Sequence, residues 1–152
     1  MPTTDPDEST LQRRLFRWCQ SKRHPVTIDN CGACTIGKAD LLSVTRARFV
    51  HEFEIKCSRT DFQREFEDKD TKHRRLERAD NRLMSLPNYF WFAVPEGLLS
   101  ADDIPDYAGW IVVGPHCEVR VDAPRIHSDA LSDRDRRYIE RGLTHRYWEA
   151  RS

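Results

Sequence analysis

Lys38-Ala39-Asp40-Leu41-Leu42-Ser43-Val44, then His51-Glu52-Phe53-Glu54-Ile55-Lys56-Cys57-Ser58-Arg59-Thr60-Asp61-Phe62, then Asp68-Lys69 are the stretches that decide how this chain is read. At a period of two, Glu52, Glu54 and Lys56 share one face of a strand, and Phe49, His51, Phe53, Ile55 and Cys57 share the other. The earlier segment is a short apolar strand with Asp40 at its leading end and Leu42 and Val44 on the same side. A hairpin through Thr45–Arg48 brings two carboxylates and an ammonium to one edge. Two carboxylates can hold a hard divalent cation through oxygen, and a lysine beside them can orient a water or offset charge developing on a phosphate. That combination suits hydrolysis of a phosphodiester.

Outward from this hairpin, the pattern predicts one αβ unit. A first helix is expected from Asp7 or Ser9 to about Ser21, because Leu11, Leu15, Trp18 and Cys19 recur at helical spacing with arginines opposite. Val26–Asp29 reads as a strand, and Gly32 and Gly37 mark turns before the Asp40–Val44 strand. Ser58–Asp61 offers N-cap oxygens for a highly charged helix, broken near Asp70, that reaches about Ser85. Its apolar stripe, Phe62 and Phe66, turns polar at Lys69 and His73 before Leu76 restores it. Such a stripe faces either a site or solvent. Tyr89–Val94 and Gly109–Val113 are apolar enough for strands buried on both faces. Glu118–Asp122 pairs beyond the Gly114-Pro115 turn, and Ser132-Asp133-Arg134-Asp135 opens a C-terminal helix. The order α-β-β-β-α-β-β-β-α predicts a mixed sheet flanked by helices.

With 152 residues the chain is read as one domain over 8–152 behind a flexible tail over 1–7. Charged residues make up 33% and the net charge is zero, so no global field favours nucleic acid. Arg13, Arg14, Arg17, Lys22 and Arg23 form one basic run, and arginines enrich the C-terminus, where either solvated faces or nucleic-acid contacts fit. No apolar run approaches a membrane span, and the acidic N-terminus lacks a signal region, so a cytoplasmic setting without membrane attachment is expected. Cys31-Gly32-Ala33-Cys34 has the spacing of a zinc half-site or of a turn with small buried thiols. It lacks a second ligand pair, and zinc is left out of the expected cofactors.

Asp40 followed by Glu54-Ile55-Lys56 resembles the D…ExK signature of the PD-(D/E)xK nuclease superfamily, with Ala39 where a proline often sits. The chain is most similar to the MmcB-like DNA-repair branch and related small phage and bacterial proteins. The matching blocks are Ala39-Asp40-Leu41, Glu54–Ser58, Asp61-Phe62, Asp68-Lys69, Tyr89–Gly97 and Pro105–Val113, and the likeness spans roughly residues 25–128. It implies a restriction-endonuclease-like αβββαβ core with extra C-terminal strands and a helix. The implied activity is a nuclease dependent on Mg2+ (or Mn2+) that hydrolyses phosphodiester bonds in DNA, in repair, recombination or phage DNA metabolism.

Carried over, the likeness makes Asp40 and Glu54 the metal ligands, helped by the backbone carbonyl of Ile55, and makes Lys56 the group that positions or deprotonates the attacking water. Lys69, His73 and Lys38 are the candidate nucleic-acid contacts, and His73 is also a candidate proton shuttle. Glu52, one pleat back, is either an outer-shell partner or a strand-surface residue. Many superfamily members add an acid from the first helix or strand; Glu8 and Asp29 occupy those positions here, and neither matches the pattern. Lys38 stands where relatives often carry an acid or arginine. That substitution motivates the alternative, a catalytically inactive nucleic-acid-binding module on a nuclease fold. Tyr147 and Trp148, beside Arg146, are candidate stacking platforms, whereas Trp91 and Trp110 read as core.

Overall fold

The computed structural model describes residues 6–83 and 85–152, so most of the expected tail over 1–7 lies outside the described residues. Helix α1 (Glu8–Ser21) begins at Asp7, whose carboxylate accepts the Thr10 N–H at 2.9 Å and satisfies one of the open donors of the first turn. There follow β1 (Val26–Cys31), β2 (Ala39–Val44), β3 (Val50–Ile55), α2 (Arg59–Asp68), α3 (Asp70–Arg78), β4 (Tyr89–Val94), β5 (Ala108–Val113), β6 (Cys117–Val121) and α4 (Asp133–Ala150). Ser58 and Ser132 cap α2 and α4 through their hydroxyls, as their positions predict. A 3-10 turn, Ala101–Asp103, stands in the acidic segment before β5.

All six strands form one sheet in the order β1-β2-β3-β4-β5-β6. β2 runs antiparallel to both β1 and β3, β3, β4 and β5 are parallel, and β6 is antiparallel to β5. This is the mixed sheet flanked by helices that the sequence predicts. The β2–β3 turn closes with Arg48 N–H donating to the Thr45 carbonyl at 2.9 Å.

Strand alternation sorts the sheet into two unlike faces. Leu41, Phe53, Ile55, Trp91, Ala93, Ile111 and Val113 meet Leu11, Leu15 and Cys19 of α1 on one face. The other face carries two separate apolar clusters. Phe90, Phe92, Val94, Trp110 and Val112 pack with Phe62 and Leu76 of α2 and α3, while Ile28, Leu42, Val44 and Val50 pack with Ile139 of α4. Glu52 and Glu54 occupy this second face between the two clusters.

The charged helix departs from its expected form in one respect. It breaks at Lys69, next to the expected Asp70, but ends at Arg78 rather than Ser85. Ala79 is left-handed (φ 54°), and the Asp80 carboxylate accepts the Arg82 N–H, so a local side-chain turn replaces the next helical turn.

Gly109 in β5 is required by close approach. A Cβ there would lie 2.6 Å from Trp91 Cε3 and 2.7 Å from the Ala123 backbone nitrogen, with the latter unable to swing away. Gly109→Ala is expected to destabilise the fold by about 1–3 kcal/mol, the usual range for overpacking, measured as a lowered denaturant midpoint at unchanged slope.

Candidate functional site

The hairpin register pairs Leu41 with Phe53 and Leu42 with Glu52, so the leading end of β2 lies beside the carboxyl end of β3. There the Asp40 Oδ2 accepts the Ile55 N–H at 2.7 Å, and the Asp40 carbonyl accepts Gln12 Nε2 from α1 at 3.0 Å. Asp40 is thus fixed by the neighbouring strand and by α1. Glu54 follows on the same face and is only 2% exposed, and Glu52 is fully buried. The expectation of Glu52 as a strand-surface residue is corrected: α2 and α3 roof this face, so the charge is met inside the protein.

It is met by lysines from the roof. Lys72 Nζ lies 2.5 Å from Glu52 Oε2 and 3.5 Å from Glu54 Oε2, with a side chain only 3% exposed. Lys69, at the α2–α3 break, reaches Glu54 Oε1 at 2.9 Å and Glu65 Oε1 at 3.4 Å. Lys56 is 2.8 Å from Glu65 Oε1 and 3.5 Å from Glu54 Oε1. Glu65 also takes His73 Nε2 at 2.9 Å, and His73 Nδ1 meets the Tyr107 hydroxyl at 2.6 Å. The polar stripe Lys69–His73 therefore faces a buried ionic network. His73 is buried with both ring nitrogens engaged, which corrects its expected role as a nucleic-acid contact: it has no donor left for a phosphate.

Glu65 and Lys72 belong to this network, and the sequence pattern does not mark them as special. Lys72 lies three residues after Lys69, and Glu65 three after Phe62. Helical spacing is the signal that could find them, but both read as ordinary charges of a solvated helix.

The electrostatics separate these groups. Burial disfavours charge on Glu65, yet hydrogen bonds from His73 and Lys56 and the nearby ammoniums hold its carboxyl below the ordinary range. Burial also works against the Lys56 ammonium, but Glu65 and Glu54 outweigh it and hold Lys56 above its usual value. Lys56 is therefore protonated near neutral pH. It suits orientation of a water and offsetting of charge, and is a poor base; the deprotonating half of its expected role is not what this environment favours.

Asp40 is the exception. Four carboxylates (Asp40, Glu52, Glu54 and Glu65) meet three ammoniums (Lys56, Lys69 and Lys72), and among the described residues Asp40 makes no ion pair. Burial first, then the Glu54 charge, pushes its carboxyl up to about 7, against the lowering effect of the Ile55 N–H. Glu8, the first residue of α1, adds to the rise through its charge and by favouring the protonated Asp40 carboxyl. The helix-one acid that the sequence pattern did not support thus reaches the site in space. Asp29 does not: its carboxylate is held at 2.5 Å by Arg146 of α4.

Lys38 is exposed two residues before Asp40, and Lys69 is engaged by Glu54 and Glu65. Cys31 is buried and Cys34 half-buried, both as free thiols. Among the described residues no three His, Cys, Asp or Glu side chains converge as a ready-made metal cage, and no helix is long and apolar enough to cross a membrane.

No protein-family model matches the chain, and no curated protein does either. Among solved structures, a protein of unknown function from Silicibacter pomeroyi is similar in fold, with a TM-score of 0.65 at 16% identity over 97% of this chain and 91% of that one.

Two outcomes follow from the site. Lys72→Met leaves Glu52 and Glu54 short of a buried cation and is expected to cost about 3–5 kcal/mol in chemical denaturation, far more than a surface lysine. Asp40 carries the opposite sign. Its folded carboxyl titrates above its unfolded value of 3.8, so the folded state binds more protons between the two, and stability falls as pH rises through about 7. Asp40→Asn should therefore raise the melting temperature at pH 8, with a much smaller gain at pH 4.

Proposed function

We propose that the protein is a divalent-metal-dependent nuclease acting on DNA, with its centre at Asp40, Glu54 and Lys56. The observation that carries this reading is the uncompensated Asp40 carboxylate beside Glu54, with Glu8 adjacent, in a network whose other carboxylates are all met by lysines. The donor set fits a hard cation: Asp40 and Glu54 offer carboxylate oxygens and Ile55 a backbone carbonyl, and magnesium commonly takes one or two carboxylates while keeping its waters. A bound magnesium or manganese would supply charge stabilisation at the phosphate and a more acidic water.

The chain's own residues divide the remaining work. Asp40 and Glu54 hold their oxygens in place through the Ile55 N–H and the Lys69 ammonium. Lys56, kept charged by Glu65 and 3.5 Å from Glu54, can orient water and offset negative charge on a scissile phosphate. Glu65 is itself anchored by His73, which the Tyr107 hydroxyl holds in turn, so the two position Lys56 indirectly. The αβββ order with a helical crossover to a parallel β4 agrees with the core that the PD-(D/E)xK resemblance implies, and a site at the carboxyl end of β3 suits an open αβ sheet.

A second reading has one observation in its favour. Glu54 is already contacted by three ammoniums, at 2.9, 3.5 and 3.5 Å, which lowers its appeal to a cation. A nucleic-acid-binding module that does not cut fits that feature.

The deciding experiment is cleavage of labelled single-stranded, duplex and branched DNA with magnesium or manganese. The nuclease reading expects products that a chelator abolishes, and a loss on the order of a hundredfold or more in Asp40→Asn and in Glu54→Gln, the scale of removing one charge-stabilising group from a reacting centre. Both substitutions keep the local shape, so a folded variant is the expected background. Undiminished cleavage in both would move the chemistry elsewhere, and metal-independent binding without products would select the second reading.

A further inference from the structure

We propose that the groove between α4 and the β1–β2 hairpin is a docking track for a single strand of nucleic acid, an inference that rests on the nuclease reading of the Asp40 centre and specifies the form of its substrate. The groove has a volume of about 1090 Å³, and its walls include Lys38, Arg137, Tyr138, Arg141, His145 and Trp148. Arg137, Arg141, His145 and Trp148 recur at steps of four, four and three, and Tyr138 lies three before Arg141, so the five share one side of the helix as a stripe. Ile139 lies off this stripe and packs into the sheet.

Two features of the stripe distinguish it from an ordinary solvated helix face. Tyr138 and Trp148 are 61% and 62% exposed, although rings of this size gain most from burial. The unpaired charge at the groove is also positive. Glu140, itself in the lining, is paired with Arg136 at 2.9 Å and Asp29 with Arg146 at 2.5 Å, while Lys38, Arg137 and Arg141 make no ion pair among the described residues. Unpaired cations interleaved with exposed aromatic rings match a chain of phosphates interleaved with bases. They match a single strand better than a duplex, whose base faces are already stacked and cannot lie on a ring.

The groove also leads to the right place. α4 packs on the sheet face that carries Glu52 and Glu54, through Ile139 against the cluster containing Leu42. Lys38, on the hairpin wall, precedes Asp40 by two residues. The hairpin wall of the groove thus runs through Lys38 into the strand that carries Asp40.

The test is fluorescence anisotropy of the full chain with labelled oligo-thymidylate and with a duplex of equal length, in chelator so that binding is separated from cleavage. The expected result is tighter binding of the single strand, weakened about tenfold by Arg137→Glu with Arg141→Glu and roughly fivefold or more by Trp148→Ala. An Arg137→Gln, Arg141→Gln variant should flatten the plot of log affinity against log salt by about 0.7 for each phosphate left without its arginine. All these side chains are exposed, and unchanged melting temperatures are expected. Groove-dependent binding without cleavage under any metal would uphold the groove and overturn the nuclease reading. Wild-type affinity in the variants, equal or tighter binding of the duplex, or no oligonucleotide binding would each overturn the groove. Groove-dependent binding to phosphatidylserine vesicles without oligonucleotide binding would assign the stripe to a membrane surface instead.

Discussion

Two glutamates on the covered face of a central strand impose the strongest constraint on this molecule. Glu52 and Glu54 lie where an αβ sheet ordinarily carries apolar side chains, and removing two carboxylates from water costs several kcal/mol each unless cations accompany them. The roof over β3 is built to supply those cations. α2 and α3 are separated by a break at Lys69, and that break lets Lys69 reach Glu54, and Lys72 reach Glu52 and Glu54, while Phe62 and Leu76 still reach the sheet. A continuous apolar helix would cover the sheet with less desolvation of charge, but it could not neutralise Glu52 and Glu54. The break and the lysine spacing follow from the charge below them.

The network is nearly, and not fully, balanced. Glu52 retains an oxygen without a hydrogen-bond partner, and Asp40 retains a charge without a counterion. A protein assembled only for stability would close both gaps. Leaving Asp40 open at the strand end, where Glu54 and Glu8 add to its negative potential, costs stability near neutral pH. That open charge is the chemical basis for reading the strand end as a cation site. Lys56 completes the picture by contrast: its charge is secured from behind by Glu65, His73 and Tyr107, so it stays protonated beside Glu54.

Much of the architecture was legible because it rests on local rules. The stripe Leu11, Leu15 and Cys19, the caps at Ser58 and Ser132, the apolar runs of β4 and β5 and the hairpin turn after Val44 are each decided within a few residues. Asp40, Glu54 and Lys56 could be singled out as well, since their separation along two neighbouring strands is short. The polar interruption of the Phe62–Leu76 stripe was visible as an anomaly, but what it faced was not. A lysine at Lys69 or Lys72 carries no mark of whether a carboxylate or water lies opposite, because that depends on which strand the helix crosses.

Sequence by itself therefore determined the element order, the alternation that puts Glu52, Glu54 and Lys56 on one face, and the hairpin that carries Asp40 towards them, because strand period, turns and caps are short-range. Only the tertiary structure decided which face would be roofed, and so whether those charges are buried or solvated. It also decided that Glu65 and His73 stand behind Lys56, and that Glu8 approaches Asp40. Those interactions join residues on separate elements, and the balance of burial against charge that sets each ionisation exists only once the helices have closed over the sheet.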